Sequence, residues 1–191
     1  MPEIIHSTNA KFKGPWLIGR EKLLELDKTF EDEWQKLLKI RSEFINAKVN
    51  DANPKDEKEE IKLRNEISNS YGNRAERSLL IYLKSARRMK VANFDEAFRE
   101  TALLNETPIG FSLSMEVRNI KLELEVRDEE GFLSFGGDDP LRLNVSPDTN
   151  KDAKGMFAVF RTWVDTCKPP IWQTIWINCR FLLFIFTPWL F

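Results

Sequence analysis

The spacing of apolar residues changes along this chain, and each change marks a new element. From Leu17 to about Val49 the residues Leu23, Leu26, Phe30, Trp34, Leu37, Leu38 and Ile45 recur at three- and four-residue steps. Glu, Lys and Asp fill the opposite side. That pattern predicts an amphipathic helix over 17–49, with a break near Arg41 and Ser42. Residues 1–16 read as an irregular arm closed by Gly14 and Pro15. Residues 50–75 form a charged linker or helix. In it Pro54 breaks the chain, Lys55 to Glu66 alternate in charge, and Ser70 to Asn73 form a turn.

The period then shortens to two, and residues 76–146 read as a sheet with one short helix. Ser78 to Leu83 suits a buried strand, followed by a second strand ending near Val91. Asn93 caps a helix over 94–104, with Glu96 as its capping-box partner and Phe94, Ala97 and Phe98 as its buried stripe. Phe111, Leu113, Met115 and Val117 alternate with polar residues, as do Ile120, Leu122, Leu124 and Val126. A hairpin turning at Arg118 and Asn119 pairs Val117 with Ile120 and Phe111 with Val126, placing all eight on one face. In that register Glu116 meets Lys121 on the other face, and Asn119 tolerates a positive φ. Phe132 to Phe135 and Leu141 to Val145 continue the meander. Over 150–167, Met156, Phe157, Phe160, Trp163, Val164 and Cys167 return to helical spacing and predict a second amphipathic helix over the dry face of the sheet. The fold class is α+β: an antiparallel meander against amphipathic helices, with an N-terminal helical arm and a C-terminal hydrophobic membrane helix.

That last element is a separate segment. Residues 17–168 read as a soluble domain and 169–191 as membrane-associating. Of the 21 residues from Ile171 to Phe191, 15 are apolar, and Arg180 is the only charge. As a helix they would reach about 31 Å, the thickness of a bilayer core. Trp172, Trp176, Arg180, Phe181, Phe184 and Trp189 are the residues expected at the membrane. Arg180 at the centre of a span would cost about 3 kcal/mol. Two arrangements avoid that. Either 171–179 lies in the interface and 181–191 enters the lipid, or the segment spans and Arg180 reaches the headgroups or a partner helix. The alternative is a helix buried in protein, in this chain or between copies of it.

Across the whole chain, 29 basic residues face 30 acidic ones, for a net charge of −1. That balance speaks against a dedicated nucleic-acid binder. The opening residues form no signal peptide, so the soluble part is expected on the cytoplasmic side of a membrane, with Cys167 and Cys179 as free thiols. Within that balance, Arg74 to Lys90 stands out with six cations and one Glu. It suits anionic headgroups, a phosphate, or a strand edge kept soluble by charge.

Gly136, Gly137, Asp138 and Asp139 lie between two predicted strands. They resemble the glycine-glycine-acid-acid turn of diguanylate cyclases and the Gly-Asp-Asp hairpin of viral RNA polymerases. That resemblance implies a nucleotide- or metal-binding enzyme, since glycines admit phosphate and carboxylates hold its cation. Pro140 and Asp139 depart from the cyclase pattern, and Gly, Asp and Pro are ordinary turn formers. His6 has no second histidine to join it, and Asn144-Val145-Ser146 fits a glycosylation acceptor in form only. The expectation is therefore a membrane-tethered cytoplasmic interaction, sensing or regulatory domain. It has no cofactor, no metal and no catalytic activity of its own, and it forms the leading part of a larger membrane protein. Its partners are the lipid bilayer and a protein or second copy, not nucleic acid. An oligomer assembling through the C-terminal helix is the other reading.

Overall fold

A computed structural model describes residues 7–12, 18–70, 74–127, 141–147 and 150–168. They form an α+β fold with a six-stranded antiparallel sheet and four helices. The strands are β1 (Thr8–Phe12), β2 (Ala75–Leu83), β3 (Arg88–Val91), β4 (Pro108–Val117), β5 (Ile120–Arg127) and β6 (Leu141–Ser146). The helices are α1 (Arg20–Ala52), α2 (Glu57–Asn69), α3 (Phe94–Leu104) and α4 (Lys151–Thr166). Strand order across the sheet is β1-β6-β5-β4-β2-β3.

Alternation sets the two faces. Phe111, Leu113, Met115 and Val117 pair with Val126, Leu124, Leu122 and Ile120, and all eight are buried. Leu79, Ile81, Leu141, Leu143 and Val145 extend the same dry face. Each fully buried leucine there contributes roughly 1.5–3 kcal/mol. The hairpin register is the one predicted, with Glu116 opposite Lys121. The positive φ of its turn, however, falls on Arg118 (55°) and not on Asn119. Arg118 lies over the Phe44 ring at 3.9 Å, and this contact with α1 holds it in place.

The N-terminal arm needs correction. Residues 8–12 are not irregular: they form edge strand β1, pairing Thr8 with Val145 and Phe12 with Leu141. β1 carries Lys11, and β3 at the other edge carries Arg88 and Lys90, charges that discourage edge-to-edge pairing. The predicted break at Arg41 and Ser42 is also absent. α1 runs unbroken for 33 residues, about 50 Å. Arg41 instead ties it to α2, donating to the Ser68 carbonyl at 3.0 Å. α1 stops at Asn53, in the left-handed region with Pro54 behind it. The charged linker resolves as α2, capped by Asp56, whose carboxylate accepts from Glu59 N–H at 2.7 Å.

α3 begins at Asn93 as the capping box predicts. Asn93 Oδ1 accepts from Glu96 N–H at 2.8 Å, and Glu96 reaches back to Ala92 N–H at 2.5 Å. Phe94 and Ala97 are buried, Phe98 is half-buried, and Thr101 completes the stripe. α4 buries Ala153, Met156, Phe160, Trp163 and Val164 against β5 and β6. The strand predicted at 132–135 and the segment 169–191 lie outside the described residues. Among the described residues, no helix is long and apolar enough to cross a membrane.

Candidate functional site

The residues singled out in the sequence are not brought together. Gly136, Gly137, Asp138, Asp139, His6, Cys179, Trp172, Trp176, Arg180, Phe181, Phe184 and Trp189 all lie outside the described residues. Among the described residues there is no group of three metal-ligating side chains. Cys167 closes α4 and is fully buried. Burial pushes its thiol up to about 11, against the opposing pull of Lys22 and a hydrogen bond from Thr166. It is a core atom, not a nucleophile. Asn144 stands in mid-β6, opposite Asn9 and Glu123, with a buried Oδ1.

The basic stretch does find a place. It spans β2, the β2–β3 turn and β3, and it borders two features that the sequence alone did not reveal. The first is a groove of about 360 Å³ where β3 ends and α3 begins. Phe30, Leu79 and Val91 line it with apolar surface, and Arg77, Lys90 and Glu96 supply its polar groups. Arg77 is engaged: it pairs with Glu31 and lies over the Trp34 ring at 5.6 Å. Hydrogen bonds from Gln35 and Arg77 hold the Glu31 carboxyl below its usual value. Glu96 is occupied by its capping bond. Lys90 has no carboxylate partner among the described residues.

The second feature is the polar face of the sheet. Gly110 stands between Tyr82 on β2 and Arg127 on β5. A methyl group at Gly110 would lie 2.2 Å from the Val126 carbonyl oxygen, so only glycine fits there. Across this gap Arg127 reaches the Tyr82 ring at 4.4 Å, and Arg88 approaches the same ring at 5.6 Å. Tyr82 donates to Glu125 at 3.2 Å, and Glu125 also pairs with Arg127 at 2.8 Å. This cluster satisfies itself and leaves no nucleophile or base poised for chemistry.

No family model matches the chain, and searches of curated proteins and of solved structures return no significant match. The function must therefore be argued from the chain's own residues.

Proposed function

We propose that this protein is a membrane-tethered interaction or regulatory domain, non-catalytic in itself, with its folded part on the cytoplasmic side. One observation carries the reading: 21 consecutive residues, 171–191, of which 15 are apolar and one is charged. A soluble chain with net charge −1 and 31% charged residues has no need of such a run on its surface. The tryptophans within it belong to the chemistry of the lipid–water boundary. The domain itself offers contact surface: a polar sheet face and a groove at the start of α3. These suit recognition of a partner and do not assemble a reaction centre.

The test uses the full chain, expressed and fractionated, with the pellet washed in alkaline carbonate. Wild type is expected in the washed pellet, and Leu182→Asp with Ile185→Asp in the supernatant, still folded by circular dichroism. Equal distribution of the two proteins overturns the reading. A soluble wild-type oligomer that the double variant splits into monomers would assign the segment to self-association instead.

A further inference from the structure

We infer that one end of the sheet is a second membrane contact: a basic, leucine-tipped surface that lies on an anionic bilayer. The inference rests on the membrane tether proposed above and deepens it by fixing how the domain sits. The antiparallel registers gather the relevant parts. Leu83 lies opposite Pro108, Gly110 opposite Arg127, and Phe12 opposite Leu141. The β2–β3 turn, the start of β4 and the end of β5 thus share one end. α3 ends there too, because Lys84 N–H donates to the Thr107 carbonyl at 2.9 Å, three residues past Leu104.

At this end Leu103 and Leu104 are 79% and 52% exposed, the most exposed leucines among the described residues. Leucines at a helix end gain nothing in water, and nothing among the described residues covers them. Exposed cations lie beside them. Lys84 and Arg87 lie on the adjacent β2–β3 turn, and Arg99 stands one helical turn before Leu103. Lys84, Arg87 and Arg99 have no carboxylate partner among the described residues. The nearby acids among the described residues are Glu100 and Glu106, two against the three cations Lys84, Arg87 and Arg99. Apolar tips inside a cationic rim are the composition of an interfacial membrane contact. The anionic lipid of a cytoplasmic leaflet is the complementary surface.

The path of the chain agrees. β6 leaves the sheet at Ser146, at the opposite end, and α4 starts from there. The last turns of α4 meet the first turn of α1: Trp163 Nε1 donates to the Lys22 carbonyl at 3.0 Å, and Lys22 Nζ donates to Thr166 at 3.1 Å. α1 itself runs toward the β4–β5 turn, where Phe44 meets Arg118. Lys22 therefore lies on the side of the exposed leucines, and so does Lys168, from which residues 169–191 continue. Lys168, the last described residue before 169–191, thus shares an end with the basic, leucine-tipped surface.

Hydrogen exchange of the full chain, reconstituted in vesicles of phosphatidylcholine alone or mixed with phosphatidylserine, tests this. Amides of 84–88 and 103–107 are expected to exchange severalfold more slowly with phosphatidylserine present, and β4 and β5 at unchanged rates. Lys84→Glu with Arg87→Glu, both exposed, should abolish the difference while the protein stays in the vesicles. Leu103→Ser with Leu104→Ser should do the same. If the chain enters vesicles but these amides are equally fast in both lipids, this inference alone falls. If the chain does not enter vesicles at all, the tether falls with it.

Discussion

A cysteine at the end of an amphipathic stripe could be a thiol for chemistry or an apolar filler. Burial at Cys167 decides for the filler, since it holds the thiol protonated up to about 11. Iodoacetamide at neutral pH is expected to leave the Cys167 peptide unmodified in the native protein and to modify it rapidly in urea. Equal native and unfolded rates, read by mass spectrometry, would contradict that placement. Single residues also mark the limit of what periodicity can tell. The alternation at 111–126 dictates the hairpin register, because a one-residue slip would turn eight apolar side chains to water. It cannot say which turn residue takes the positive φ. Arg118 does so at 55°, and its contact is with Phe44, more than seventy positions away in sequence.

At the scale of elements, the strong helices, the central strands and edge strand β3 were legible, and edge strand β1 was not. β1 reads as Thr-Asn-Ala-Lys-Phe, too weakly apolar to announce a strand, and it becomes one by pairing with β6. α1 and α3 are joined by a contact no local pattern foretells. Asp27 accepts from Phe94 N–H at 2.7 Å, placing a carboxylate at the first turn of α3. Burial nonetheless pushes the Asp27 carboxyl above its usual 3.8, with the Phe94 bond pulling the other way. The folded chain thus holds a proton there that the unfolded chain has released. This contribution to stability falls as pH rises above 3.8 through the raised value. Asp27→Asn keeps the acceptor and cannot titrate. Its stability relative to wild type in urea melts should therefore rise between acidic and neutral pH. A constant difference across that range would refute the assignment.

On the scale of the whole molecule, a polar sheet face, a small groove and a basic, leucine-tipped end surround a single core. Composition sets residues 171–191 apart from the charged remainder of the chain, because 15 apolar residues in 21 cannot be hidden in an average. It could not foretell that α4 brings the chain to the end where Leu103 and Leu104 are exposed, since that depends on how β6, α4 and α1 pack. The account turns on residues 171–191 lying in lipid. An apolar photoreactive probe dissolved in the bilayer, followed by peptide mapping of the full chain in native membranes, reads this directly. The probe should mark Phe181 to Phe191 and leave β4, β5 and α4 unmarked. Labelling absent from 171–191, or spread evenly over the chain, would contradict the account.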